Sequence, residues 1–579
     1  MPSAQPRTTT ASPGPAPPAP PALPSADDAV AHTLLNCLQR EVSGPERGTL
    51  VEPDGGGHLR LRLARSGTDL RVRIRRTSLL GDHRFIGPVA ERSGSGWRDL
   101  TWRDLGLRVH DELGLRSGVH NDEFLDQLAS SHDGVAAGLD RHAPAPASRY
   151  LESEQALVFG HRFHPTPKAR SADRATWAAY APEARATFRL RHLAVRSELI
   201  AQERLSPDAT AVLDRLRPVP AGYTLLPAHP WQYELLAGHP ALRAALARGD
   251  VLDLGEGGAR FTPTASVRTL SGEGVFLKFS LNVRITNCVR KNAAYELSGA
   301  VALTGALAPI LARLGRRFPG HAVLGEPAYR SLSPALAPEL LEGFGVIVRD
   351  GLDAHLRAGA TPLLAAAVAD EYPTGSAHIS RLLDGGGPRE ALRWWECYLR
   401  LLVPPVLAAF LEHGVVLEPH LQNVLVAVDR AGRPTQVLLR DMEGSKLLPE
   451  QHAATLAALP PSVAEPMTYS ARRGWDRVTY CLVVNNIAEV LAALTDLHPH
   501  LEARLWARVR AVIEHCSHEH GHPPRLRALL AGAPLPAKAN LLARWDRRAD
   551  REAEYIRIPS PLGRSVLDEA IRTPLRSAP

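Results

Sequence analysis

Residues 418–426, EPHLQNVLV, place Glu418, His420, Gln422 and Asn423 at the mouth of a run of leucine and valine. The next apolar run ends in RDMEG, 440–444, which supplies Asp441 and Glu443. The two runs, VLVAV (424–428) and TQVLLRD (435–441), are joined by DRAGRP. Antiparallel pairing through that turn brings the start of the first strand beside the end of the second. Carboxylates and an asparagine amide are hard oxygen ligands, the kind Mg2+ takes beside phosphate. Kinase-type phosphotransferases use the same order: a loop ending in asparagine, a hairpin, then a metal-binding aspartate. A plain polar rim would use the same residues, with Asn423 capping a turn and Asp441 paired to a base.

A second group lies in TPTASVRTLSGEGVFLKFSLNVRITNCVRKN, 262–292. Ser266, Arg268 and Thr269 precede a Gly-Glu-Gly turn, and Lys278 and Arg290 follow it. Arg268, Lys278, Arg284, Arg290 and Lys291 give five cations in 24 residues, with few acids to balance them. Arginine grips phosphate with two donors and lysine acts as a point charge, so the set suits a polyphosphate. Period-two alternation puts Lys278, Ser280, Asn282 and Arg284 on one face of a strand over 275–286. That face either lines a cleft or is simply solvated. A third group, GHRFHPTPKAR at 160–170, holds His161, His164 and Lys168 among prolines. Rigid loops fix polar groups at low entropic cost. His229 and Gln232 of LLPAHPWQYE are expected to reach the same cleft, with Trp231 a packed aromatic.

The elements that must position these groups follow from pattern. A chain of 579 residues calls for roughly two to four domains. Residues 1–28, rich in proline and alanine, read as a disordered tail with no signal peptide. Residues 29–150 read as helical with one hairpin, LRLRLA and DLRVRIRR (59–64 and 69–76). DRHAPAPASR, 140–149, reads as a linker, and domain divisions are expected near 150 and 387. Helices are expected at 291–315, 388–414 and 480–494, and HCSHEHGH (515–522) reads as a hydrated helix end.

The charge balance excludes some functions. Net charge is +7, with no basic block interleaved with aromatics, which argues against nucleic acid. Five cysteines, with no CxxC pair, fit a reducing compartment, and the cytoplasm is the expected location. The oily stretch 401–417 is interrupted by two prolines, Glu412 and His413, and reads as a buried helix and turn, with no membrane association. There is no GxxxxGK[ST] loop and no GxSxG elbow.

Taken in order, GHRFHPTPK, LLPAHPWQ, TPTASVRT, LKFSLNVRITNCVRKN, EPHLQNVLV and RDMEG resemble the NRPS-independent siderophore synthetases, the IucA/IucC family. The likeness runs from about 150 to 560. It implies an α/β (mixed α+β) multidomain fold like a cupped hand: thumb (29–150), fingers (151–387) and palm (388–579), the palm carrying kinase-like hairpin elements. It also implies a cytoplasmic homodimer that uses ATP and Mg2+ to adenylate a carboxylate of citrate or a related acid. An amine, polyamine or hydroxylamine then displaces AMP to give an amide.

By that likeness Ser266, Arg268, Thr269, Lys278 and Arg290 hold the triphosphate, joined by His420, Gln422 and Asn423. Arg290, Lys278 and His420 carry the catalytic charge. Asp441 meets the metal, with Glu418 and Glu443 beside it. His161, His164 and Lys168 face the substrate carboxylate. One departure stands out: Arg162 follows His161 where the family usually has proline. Two rivals remain open from sequence, a small-molecule kinase and a non-enzymatic iron-siderophore binding protein.

Overall fold

The computed structural model describes residues 23–52, 57–140, 146, 148–171, 173–285, 288–548 and 554–572. Most of the expected tail therefore lies outside the described residues. Its last part does not stay disordered: a helix spans Ala26–Leu38, started by Ser25, whose Oγ accepts the Asp28 N–H at 3.1 Å. Of the expected linker, 141–145 and 147 also lie outside the described residues.

The N-terminal region holds more strand than its pattern suggests. His58–Arg62 and Asp69–Arg76 pair as expected, but within a five-stranded antiparallel sheet completed by Thr49–Val51, Arg84–Ser93 and Gly96–Leu100. The pairing of Arg84–Ser93 slips between Ile86 and Ala90. Gly87 (φ 73°) and Pro88 lie in that slip and hide the period-two pattern.

The central sheet has eight strands, all paired antiparallel. Its inner strands, Thr269–Gly272, Val275–Phe279 and Val346–Arg349, carry the residues of interest. The strand expected over 275–286 breaks at Ser280. There the Ser280 N–H donates to the Gly345 carbonyl at 3.0 Å and its hydroxyl to the Glu342 carbonyl at 2.5 Å. The chain leaves the sheet, and Leu281–Ile285 pairs instead with Cys288–Arg290. The shared polar face is thus lost: Lys278 and Ser280 are buried, whereas Asn282 and Arg284 are exposed.

The hairpin read from the opening motifs is present. Val424–Val428 and Pro434–Leu439 pair antiparallel, Val424 opposite Leu439. Their sheet also takes His321–Val323, parallel to the second strand, and Thr361–Leu364. Pairing therefore runs across the expected 387/388 division. All five residues of Val424–Val428 are buried, so this strand needs neighbours on both edges and both faces, and the earlier segments supply them.

Behind the hairpin lies the buried helix Pro388–His413, stopped at Gly414 with φ 60°. Among the described residues, three helices are long and apolar enough to cross a membrane by length and composition. The apolar window of one of them, Ala471–Leu497, is wholly buried in the fold. That helix widens into π turns over Tyr480–Ile487. The chain then returns to its beginning: Leu541 and Trp545 pack in the N-terminal core, and Glu41 accepts from the N–H groups of Leu541 (3.0 Å) and Leu542 (2.9 Å). HCSHEHGH closes the helix Glu502–Glu519, and His520 Nε2 meets Glu412 at 2.7 Å.

Candidate active site

A cavity of about 510 Å3 opens where the central sheet, the hairpin and the His-Pro loop meet. Its wall gathers His161, His164 and Lys168, then Ser266, Arg268, Thr269, Lys278 and Arg290, then Glu418, His420, Gln422, Asn423 and Asp441. Glu443 stands behind the wall, on Lys278. His229 and Gln232 do not reach it. His229 is buried among Tyr180, Phe188 and Phe279, and Gln232 spends its amide on Gly343 O and the Asn282 N–H. Trp231 is packed against Trp177 and Tyr180, as expected.

Two loops reach the cavity through unusual backbone. In TPTASVRT the Thr264 N–H donates to Thr269 O at 2.9 Å, and the Thr269 N–H donates to Ser266 Oγ at 3.1 Å. The tight loop forces Val267 to φ 68°, costly for a β-branched residue. Arg268 is held by the Asn292 side chain. Asp441 also stands in the left-handed region, at φ 80° and ψ 66°, which aspartate tolerates better. That conformation turns the chain out of the hairpin strand into the short turn Met442–Gly444.

The cations and acids then interlock. Lys278 Nζ lies 2.5 Å from Asp441 Oδ1 and also binds Glu443. Arg349 Nη2 reaches the same Asp441 oxygen at 2.7 Å and Glu326 at 2.5 Å. Burial pushes the Asp441 carboxyl up, but Lys278 and Arg349 outweigh it and hold it far below the usual range. Burial likewise opposes the charge on Lys278, and Asp441 with Glu443 raises it above its ordinary value. Asp441 is 29% exposed, to the cavity, so an incoming anion can reach it and its two cations.

The histidines behave differently. Burial lowers His420 to about 4 and His161 to about 3, so both rings are neutral at pH 7. His161 is open to the cavity yet deep within it. Its Nδ1 accepts from the Phe163 N–H at 3.1 Å, and Nε2 meets the Asn485 amide at 2.7 Å. Burial also lowers Lys168, against Glu183 3.5 Å away. Asn423 is 5% exposed, and its Nδ2 has no hydrogen-bond partner among the described residues.

The residues expected at the metal do not all meet. Asp441 and Glu443 share Lys278, whereas Glu418 turns to Arg477 at 2.6 Å. Among the described residues no three His, Cys, Asp or Glu side chains form a ready-made metal cage. Gly444 instead separates two carboxylates: a Cβ there would lie 3.3 Å from Glu418 Oε2 and 3.7 Å from Asp441 Oδ2. That donor set fits Mg2+, which takes one or two carboxylates plus waters and phosphate oxygens rather than an all-protein cage.

Several site residues escape pattern reading. Arg349, at the end of the buried strand VIVR, brings a further cation. Glu154 binds Arg440 through both oxygens, at 2.6 and 3.1 Å, and accepts the Ala265 N–H at 3.0 Å. Arg440 also donates to Gln422 O at 3.0 and 2.8 Å. One ion pair thus ties the TASVRT loop, the EPHLQN loop and the RDMEG turn together. Asn485 is placed by the π turns. Such π segments often mark functional positions, but no local composition announces them.

Residues 149–370 match the family model described as IucA / IucC family. This part of the chain belongs to the IucA/IucC family. Residues 392–553 match a second model, described as ferric iron reductase FhuF-like transporter. The chain is 28% identical to the rhizobactin siderophore biosynthesis protein RhbC of Rhizobium meliloti, over 92% of this chain and 96% of that one. It is 29% identical to an L-2,3-diaminopropanoate–citrate ligase of Staphylococcus aureus, over 84% and 88%. The solved structure of ATP-bound aerobactin synthetase IucA from Klebsiella pneumoniae superposes with a TM-score of 0.83 and 26% identity, covering 93% of this chain and 99% of that one. The mixed α+β multidomain architecture is therefore that of these synthetases.

Proposed function

We propose that this protein is an ATP-dependent siderophore synthetase. It activates a carboxylate of citrate, or of a related acid, and joins it to an amine or hydroxylamine. The observation that carries this reading is the convergence of Arg268, Lys278 and Arg349 with Asp441 on one cavity, from a sheet and a hairpin 163 residues apart at Lys278 and Asp441. The relatives named as citrate ligases support citrate as the acid.

In the first step a carboxylate oxygen attacks the α-phosphorus of ATP, and pyrophosphate leaves with the electron pair of the broken P–O bond. Arg268, Lys278, Arg290 and Arg349 offset the charge on the phosphates. Ser266, Thr269, Gln422, Asn423 and the neutral His420 supply hydrogen bonds along the nucleotide. His161, His164 and Lys168 receive the acid. Asp441 and Glu418 would hold Mg2+, which supplies positive charge at the phosphates when bound. In the second step the amine nitrogen attacks the activated carbonyl and AMP departs. The enzyme is a cytoplasmic homodimer in this reading.

Product analysis tests it. The synthetase releases AMP and pyrophosphate only when acid is present, and the kinase alternative gives ADP. A screen of single acids for pyrophosphate release, followed by amines with the best acid, identifies the substrates. Arg290→Ala and Asp441→Ala are each expected to abolish acid-dependent pyrophosphate release with the fold intact by circular dichroism. Near-native turnover in either variant removes that residue from the site.

A further inference from the structure

The cavity is lined unevenly, and one acid differs from all the others. Every other carboxylate on its wall faces a cation within ion-pair distance, from Glu154 on Arg440 and Glu183 on Arg170 to Glu371 on Arg84 and Glu489 on Arg162. Glu418 and Asp441 are committed to Arg477 and Lys278. Asp370 lines the same cavity and has no ion-pair partner among the described residues. Its carboxylate meets the backbone N–H groups of Glu371 and Tyr372, the latter at a long 3.5 Å.

Its position is nevertheless fixed. Asp370 follows the short helix Ala365–Val368, and its carbonyl accepts His378 Nε2 at 2.9 Å. The phosphate-directed cations Arg268, Lys278 and Arg349 reach the cavity from the central sheet, whereas Asp370 comes from the segment after Thr361–Leu364, next to Glu371. An unpaired carboxylate on the cavity wall, carried by a segment other than those that bring Arg268, Lys278 and Arg349, suits an ammonium meeting an activated, phosphate-bearing acid.

Resting on the synthetase reading above, we propose that Asp370 is the general base of the amide-forming step, taking a proton from a primary amine that enters as an ammonium. The balance is simple. Asp370 accepts one N–H proton and frees the nitrogen lone pair. The N–C bond forms, the C–O bond to AMP breaks with its electron pair going to the departing AMP, and the second N–H proton passes to the AMP phosphate. Burial raises the Asp370 carboxyl to about 7, which suits proton exchange with an amine near neutrality. The charged groups facing it are Glu371 on its own segment, which raises it further, and Lys168 from the His-Pro loop, which lowers it. His378, on its carbonyl, is itself lowered by burial and neutral at pH 7.

The test compares nucleophiles in one variant. Free hydroxylamine is uncharged at neutral pH and needs no base, so it reports activation of the acid alone. Asp370→Asn is expected to cut amide formation with the amine by about 100-fold or more relative to hydroxamate formation by the same variant. The wild-type rate of amide formation should rise through a pKa near 7, and that limb should vanish in Asp370→Asn. Asp370→Glu, which keeps a carboxylate, should restore part of the ratio. Amide and hydroxamate falling in parallel in both Asp370→Asn and Asp370→Ala overturns the assignment, as does an unchanged ratio. An unchanged ratio also fits Asp370 acting as a neutral donor to the acid substrate, which asparagine mimics. Absence of acid-dependent hydroxamate in the wild-type protein counts instead against the synthetase reading itself.

Discussion

Arg440 and Asp441 are neighbours in sequence and have opposite electrostatic surroundings. Arg440 is locked one-to-one: its side chain is 4% exposed, its partner Glu154 is 0% exposed, and the contact is bidentate. Asp441 is shared: two cations meet on one of its oxygens, and it faces the cavity. A phosphate that enters can draw Lys278 and Arg349 away from Asp441, because each keeps a second carboxylate in Glu443 or Glu326. No ligand can draw Arg440 from Glu154 without leaving a buried charge alone. The lock holds the loops; the shared carboxylate does the exchanging.

The largest expected effect breaks the lock. Glu154→Ala leaves Arg440 buried without its partner and should cost about 3–5 kcal/mol of stability in denaturant unfolding. Replacing both partners, Glu154→Leu with Arg440→Met, should recover most of that. A loss below about 1 kcal/mol in the single variant would make the pair ordinary. In Asp441→Asn the larger loss should be of activity. Asparagine tolerates the left-handed backbone but lacks the charge that Lys278 and Arg349 hold, so stability should fall, by less than in Glu154→Ala because each cation keeps a second carboxylate. Pyrophosphate release should fall by about 100- to 1,000-fold.

A pH series separates both pairs from the buried histidines. His229 is 1% exposed, and burial lowers it from 6.5 to about 3. The unfolded chain binds a proton there below 6.5 and the folded protein does not. The stability tied to this neutral ring is therefore full above 6.5 and falls with acidification until about pH 3. Relative to His229→Phe, wild type should lose about 1.4 kcal/mol per pH unit across that window. A flat difference would place the ring in a more polar setting. The smallest effect belongs to Ser266→Ala, which removes the acceptor for the Thr269 N–H. It should cost about 1 kcal/mol, read chiefly as a several-fold higher KM for ATP.

The hairpin and the site around it were legible because their signals are local. VLVAV and TQVLLRD are short apolar runs with a turn between them, and the polar residues sit at their ends. The three cationic and histidine-bearing motifs come to one cavity, yet their spacing alone gave no distance between them. What sequence missed is nonlocal. Ser280 breaks a well-alternating strand because it bonds to Glu342 O and Gly345 O, some sixty residues away. His229 looked like a cleft residue because a His-Pro pair suggests function, but Tyr180, Phe188 and Phe279 enclose it. Glu154 and Arg349 sit in ordinary helix and strand contexts, and only their distant partners make them matter. Gly87 and Pro88 concealed a strand whose neighbours on both sides complete its ladder.

The packing of Trp545 against the N-terminal core has a temporal meaning. Its indole N–H donates to Ser117 Oγ at 2.9 Å, and its carbonyl accepts Asn121 Nδ2 at 2.7 Å. Glu41 waits for the N–H groups of Leu541 and Leu542. During synthesis the first hundred residues emerge long before these partners exist. The N-terminal core is thus completed only by residues made 500 positions later, and until they are made its apolar slot stands open.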